Sequence, residues 1–243
     1  MFRTSLAVAA AVALAVASIH AAEPETIPAT GGNITIQPIN HAALQIRFGN
    51  QVVTVDPSPM GGNYDVLPKA DLLLITDIHG DHLDPAVAAK AAKPNATILA
   101  PAEAVAKLKG ATAIKNGETK TVGAVTVEGV PMYNLTRGPA AGQLFHTKGR
   151  GNGYIVTVGG KRLYVAGDTE CIPEMKALKN IDVAFVPMNL PYTMTPQEAA
   201  ECVKAFKPKI VYPYHYGESD LKLFSSALAG SGVDVRVRDW YAK

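Results

Sequence analysis

Beyond its first twenty-two residues the chain carries apolar positions in short runs and strict alternation, with helical spacing only between them. Asn33–Gln37 and Ala42–Phe48 are rich in β-branched and apolar residues, and Gly49-Asn50 turns the second run into Gln51–Asp56. Three meandering strands are predicted, the last two joined as a hairpin. The unbroken apolar run at Asp71–Ile75 reads as a short strand buried on both faces. Asp84-Pro85 then places an N-cap and a first-turn proline ahead of a helix through about Lys90. A strand at Thr97–Ala100 and a helix at Ala102–Lys109 follow.

The second half repeats this order. Alternating Thr, Val and Ala over residues 119–130 predict two strands, and residues 134–152 show no period and much glycine, which predicts a long loop. Strands Tyr154–Val158 and Arg162–Ala166 flank a Gly159-Gly160 turn. Next come a helix at Ile172–Lys179, a strand at Asp182–Pro187 and a helix at Thr195–Phe206. A strand at Ile210–Tyr212, a helix starting at Asp220 and a strand at Val233–Val237 close the chain. Strands first, then strand and helix in alternation, twice over, predict two mixed sheets, each backed by helices.

The N-terminus changes where that fold begins. Arg3 precedes the apolar stretch Leu6–Ala17, small residues follow at Ala21-Ala22, and then Glu23-Pro24-Glu25. This is the layout of a secretory signal peptide over 1–22, and the apolar stretch is too short for a membrane span. Residues 23–243 are therefore expected as a single exported domain, bacterial and periplasmic, with no stable membrane anchor after cleavage near Ala21-Ala22. Export makes a disulfide between Cys171 and Cys202 chemically possible, but spacing does not assign it, and neither has a Cys-x-x-Cys context. Charge is nearly balanced, with 23 basic and 21 acidic residues and no basic run, which argues against nucleic acid as a partner.

The chemistry concentrates in Thr76–Asp84, directly after the Asp71–Ile75 strand. Asp77, His79, Asp81 and His82 bring carboxylate and imidazole groups together, Asp84 adds another, and a divalent cation accepts both donor types. The C-terminal ends of strands are where open α/β sheets place their sites. Asp168, in Gly167-Asp168-Thr169, and His215, in Tyr212–Gly217, stand at two further predicted strand ends. Singly, an N-cap and an ordinary hydrogen-bonded histidine account for them; together with the first cluster they predict a metal site. Gly149–Gly153 invites a phosphate-loop reading, yet it follows no predicted strand, opens no helix and lacks the Lys-Ser/Thr pair, so it reads as a flexible loop. Lys148 and Arg150 beside it are expected as solvated loop charges, with an anionic substrate as the alternative.

On these residues the chain resembles the metallo-β-lactamase superfamily from residue 33 to its end. The Asp77-Ile78-His79-Gly80-Asp81-His82 loop is similar to the family's H-x-H-x-D-H motif; Asp56, Asp168 and His215 match its early Asp, bridging Asp and last His. Phe145-His146, Gly153-Tyr154, Gly167–Thr169 and Tyr192–Thr195 resemble the branch of ascorbate-6-phosphate lactonase-like hydrolases. The resemblance implies a four-layer αββα sandwich of two mixed sheets flanked by helices, with the metals at its open edge. It also implies one or two divalent ions. Asp81, His82, His215 and bridging Asp168 form one position, here called the second. Asp77 and His79 belong to the first, completed by His146, by Asn134 or by neither. Asp77 stands where the motif has an imidazole, which makes the first position harder and more anionic. Zinc is the first expectation, with manganese or iron admitted.

The implied activity is metal-assisted hydrolysis of a small ester, lactone or phosphodiester, with Asp81 and Asp168 as the catalytic carboxylates. The alternatives are β-lactam amide hydrolysis, which Asp77 and Asn134 disfavour, and a non-catalytic metal-binding protein that keeps the site's shape. His41 is expected in the core, behind a ligand or in a direct role, and Asp56 likewise, with Asp56 able as an acceptor to orient a metal-bound imidazole.

Overall fold

The structure, a computed structural model, describes residues 23–241; the leader 1–22 lies outside the described residues. Two seven-stranded sheets are built in chain order, one from each half. The first holds β1 (Glu25–Ala29), β2 (Gly32–Asn40), β3 (Ala43–Phe48), β4 (Gln51–Val55), β5 (Ala70–Leu74), β6 (Ala92–Ala100) and β7 (Thr112–Ala113), side by side in that order. Strands β1 to β4 pair antiparallel and β4 to β7 pair parallel. The β5–β6 and β6–β7 steps are crossed by α1 (Pro85–Ala91) and α2 (Ala102–Val105), while residues 56–69 join β4 to β5 without a helix.

The second sheet repeats the plan with β8 (Thr119–Val122), β9 (Val125–Met132), β10 (Gly151–Val158), β11 (Lys161–Val165), β12 (Val183–Pro187), β13 (Ile210–Tyr214) and β14 (Asp234–Val235). Here β8 to β11 pair antiparallel and β11 to β14 parallel. The crossings are α3 (Pro173–Lys176), α4 (Pro196–Phe206) and α5 (Leu221–Ala227). Parallel neighbours need such crossovers, whereas antiparallel ones can close with tight turns, as all here do except β9 and β10, which residues 133–150 join.

Alternation along the strands makes the layers. Leu72 and Leu74 of β5 face the core shared by the two sheets, beside Ile46, Val55, Val156, Val165 and Phe185. Leu73 and Ile75 point the other way, onto Ala88, Ala91 and Ala104 of the first helical layer. In the second half Ile155, Tyr164 and Ala184 pack under Met175, Val203 and Phe206. The molecule is the expected four-layer αββα sandwich.

Several boundaries move. Helix α2 ends at Val105 rather than Lys109, and α3 spans only Pro173–Lys176. The expected loop over 134–152 gives way to strand at Gly151, so the glycine-rich stretch is the entry to β10 rather than a flexible loop. A Cβ on Gly151 would lie 2.9 Å from the Thr76 carbonyl, and one on Gly153 2.9 Å from that of Ala166. These glycines serve close backbone approach, which sequence alone does not separate from flexibility. Cys171 and Cys202 form a disulfide that ties the segment before α3 to α4. Among the described residues no helix is long and apolar enough to cross a membrane.

Candidate metal centre

Strands β4, β5, β11 and β13 all end at one edge of the sandwich, and each end delivers a polar side chain: Asp56, the Thr76–Asp84 loop, Asp168 and His215. The 79–83 backbone closes a single turn, with the amides of His82 and Leu83 donating to the His79 carbonyl at 3.1 and 2.9 Å. That turn aims Asp81 and His82 inward, while Asp84 leaves the cluster to cap α1, accepting from the Val87 amide at 2.8 Å.

The side chains form two groups of potential ligands, Asp81, His82, Asp168 and His215, and Asp77, His79 and His146; within each, the ligand atoms lie within 4.8 Å of one another. In the first-named group His215 Nε2 sits 3.3 Å from both Asp81 Oδ2 and Asp168 Oδ1, and His82 Nε2 sits 3.3 Å from Asp168 Oδ2. In the other, His79 Nδ1 is 2.7 Å and His146 Nε2 3.7 Å from Asp77 Oδ2. Asp168 joins the two, because its Oδ2 is also 3.4 Å from His146 Nε2. All seven predicted ligands therefore converge, and His146 rather than Asn134 turns its free nitrogen toward the first position.

The donor set fits divalent cations. His82 Nε2, His146 Nε2 and Asp168 Oδ1 are buried and have no hydrogen-bond partner, and buried polar atoms rarely stay unpaired unless an ion or water meets them. His82 and His146 present these nitrogens because the other ring nitrogen is held from behind. His82 Nδ1 bonds Asp56 Oδ2 at 2.9 Å, and Asp56 also accepts from the Thr76 amide at 2.7 Å. His146 Nδ1 donates to Asn134 Oδ1 at 2.7 Å. Asn134 is thus the holder of an imidazole, not a ligand; its amide nitrogen is engaged by the Tyr192 carbonyl at 2.8 Å.

His41 belongs here too. Its Nε2 lies 3.2 Å from Asp81 Oδ2, its Nδ1 2.6 Å from the Tyr241 hydroxyl, and its carbonyl accepts from the His215 amide at 3.0 Å. The chain has six histidines; one, His20, is outside the described residues, and the other five meet at this edge. His41, Asp56 and His215 also adopt positive φ (52°, 46° and 45°), a backbone state uncommon outside glycine and concentrated at functional sites.

Electrostatics favour positive charge in the cluster. Burial pushes the His82 pKa down, but the Asp168 and Asp56 carboxylates outweigh it and hold it well above the usual histidine value. Burial raises Asp168 and Asp81, yet the surrounding imidazoles hold both carboxyls low. Burial likewise works against Asp77, and the His79 hydrogen bond with the neighbouring His82, His146 and Arg150 charges brings it down to about 2. Burial lowers His146. Lys148 pairs with Glu174 at 2.6 Å, away from the cluster, whereas Arg150 Nη2 reaches both Asp77 oxygens at 3.1 and 3.0 Å.

Residues 35–215 match the family described as the β-lactamase superfamily domain. The chain is 32% identical over 228 residues to a UPF0173 metal-dependent hydrolase of Symbiobacterium thermophilum, covering 84% of this chain and 92% of the relative. The chain belongs to the metallo-β-lactamase superfamily. A second UPF0173 metal-dependent hydrolase, from Thermococcus kodakarensis, is 31% identical over 75% of this chain and 84% of its own length. A crystal structure from Parabacteroides distasonis, named provisionally as a metal-dependent hydrolase, superposes with a TM-score of 0.85 at 43% identity, covering 90% of this chain and 99% of that one. Igni18, a metallo hydrolase of Ignicoccus hospitalis, shares the fold at a TM-score of 0.69 and 22% identity, over 84% and 94% of the two chains.

Within this metallo-β-lactamase fold, sequence reasoning underrated three residues. His41 stands 40 positions from Asp81 and 200 from Tyr241, so no local pattern links them; its one signal was being a scarce histidine just after a strand. Asn134, which the sequence offers as a ligand, holds an imidazole instead, and Arg150, expected as a solvated charge, pairs with buried Asp77.

Proposed function

We propose that this metallo-hydrolase is exported and opens a small ester, lactone or phosphodiester at the edge where the two sheets meet. The observation that carries the reading is Asp168, a buried carboxylate whose two oxygens face His215 on one side and both His82 and His146 on the other. A divalent ion held there would polarise a carbonyl or phosphoryl oxygen and bring the pKa of water toward neutrality. Asp81 is the half-buried carboxylate of the group, fixed by His41 and His215, and its place suits it to accept a proton or hold a water in line for attack. Two imidazoles in the second position favour zinc, while the Asp77 carboxylate extends tolerance in the first to manganese or iron.

His79, 46% exposed, marks the solvent side by which a substrate enters. Phe145 and Tyr192, in edge contact with ring centroids 5.0 Å apart, adjoin the Asn134–His146 pair, Phe145 in sequence and Tyr192 through its carbonyl on Asn134, and would supply an apolar wall for the organic part of an ester or lactone. Export is supported by the leader pattern and by the Cys171–Cys202 bridge, since disulfides persist in oxidising compartments. Metal analysis of the mature protein, combined with chromogenic lactone, phosphodiester and β-lactam substrates, tests the reading. The wild type should hold stoichiometric metal and turn over a lactone or phosphodiester, and His82→Ala or Asp168→Ala should lose both properties. Full turnover in either variant would sink the assignment.

A further inference from the structure

We propose that Arg150 is a built-in counter-ion of the first position, so that the protein takes one divalent ion tightly and a second far more weakly. This rests on the reading of the cluster as a metal centre. The tight ion would be held by Asp81, His82, Asp168 and His215, the weak one at Asp77, His79 and His146. The Arg150 guanidinium grips both oxygens of Asp77 from 3.1 and 3.0 Å, and Asp77 is fully buried. Guanidinium stays protonated at any working pH, so the carboxylate's charge is already matched before an ion arrives.

The second position is different. Among the described residues only imidazoles reach Asp81 and Asp168, with no lysine or arginine in ion-pair range. Formal charge there, with neutral imidazoles, is −2 from two carboxylates, against zero for Asp77 and Arg150 together. A cation entering the first position must therefore displace or face a like charge. The backbone keeps Arg150 where it is. The next two residues begin β10, the Asn152 amide donates to the Thr76 carbonyl at 2.9 Å, and the Arg150 amide donates to the Thr147 carbonyl at 3.2 Å. Gly151 permits that approach to Thr76, so the glycine-rich stretch places a guanidinium on the residue following Thr76.

Calorimetric titration of metal-stripped mature protein with zinc, with ion counts by native mass spectrometry, tests the inference. The wild type should bind one ion, with any second at least about tenfold weaker. In Arg150→Gln the second ion should tighten by about 10- to 100-fold, the scale on which groups behind the ligands tune affinity, and the first should stay unchanged. Glutamine can still donate to Asp77, which avoids leaving the buried carboxylate without a partner. Arg150→Lys keeps the charge, so it should retain the wild-type asymmetry and provides a second test if the glutamine variant does not fold. Two equally tight ions in the wild type, or no tightening at Asp77, His79 and His146 in Arg150→Gln, would overturn the counter-ion role and leave the metal centre standing. A wild type that binds no ion would overturn both.

Discussion

Asp56 shows how much of the site is settled behind the ligands. Both its oxygens are taken, one by the Thr76 amide and the other by the Thr76 hydroxyl and His82 Nδ1. Burial raises its pKa, and the hydrogen bonds with His82 and Thr76 oppose that rise. A carboxylate in this place fixes the proton of His82 on Nδ1 and leaves Nε2 to face Asp168. Asp56→Asn keeps the shape and removes the charge. Metal affinity should fall by about 10- to 100-fold, with the fold retained by circular dichroism; unchanged affinity in a zinc titration would show that His82 needs no such partner. Asn134 and His41 play the same part for His146 and Asp81. Of the three, Asp56 was legible in advance because it ends a strong strand and matches the early Asp of the family it resembles. The others join segments whose approach is set by tertiary register, and no local pattern encodes that.

At the scale of elements, α4 is the helix the sequence describes best, and it also anchors the loop that carries His146. Thr195 Oγ1 accepts from the Glu198 amide at 3.1 Å and Glu198 Oε2 accepts from the Thr195 amide at 2.7 Å, a reciprocal cap followed by proline in the first turn. Arg137, from the 133–150 loop, closes on both Glu198 oxygens at 2.9 and 2.7 Å. Thr195→Ala should cost about 1 kcal/mol of stability in a denaturant melt. Burial raises the Glu198 pKa, but the Arg137 and Thr195 bonds prevail and lower it. A depressed folded value means that this stabilisation is full above the ordinary glutamate range and is lost as pH falls through the folded pKa. Melts of Glu198→Gln should therefore show a shallower acid loss than wild type; parallel curves would count against the pairing. Strands with a clear period of two were equally legible. Edge strands β1 and β7 were not, since Pro28 interrupts the first and the second has only two residues. Their strand character comes from their partners. The shortened α2 and α3 had the same cause in reverse, because apolar spacing continued past the point where turns replaced the helix.

Over the whole molecule, the repeated plan of strands then strand–helix units was readable from order alone, while the placement of the site between the halves rested on the family resemblance. The halves divide the ligands: Asp77, His79, Asp81 and His82 come from the first, and His146, Asp168 and His215 from the second. An ion shared across that seam binds only the folded arrangement, so it stabilises by mass action, about 2.7 kcal/mol when free ion stands at 100 times its dissociation constant. For a chain of this size 1 kcal/mol moves the melting temperature by about 2–4 °C, so chelation should lower it by roughly 5–10 °C, reversibly on adding zinc. Reduction of Cys171–Cys202 should also destabilise, by about 2–4 kcal/mol. That bridge lies wholly in the second half, with Cys202 packed in the outer helical layer, so the reduced protein should keep its metal. Calorimetry with and without chelator, and with and without reductant, separates the two effects. A melting temperature indifferent to chelator would mean that no ion joins the halves, and metal lost on reduction would mean that the helical layer, not the seam, holds the centre in place.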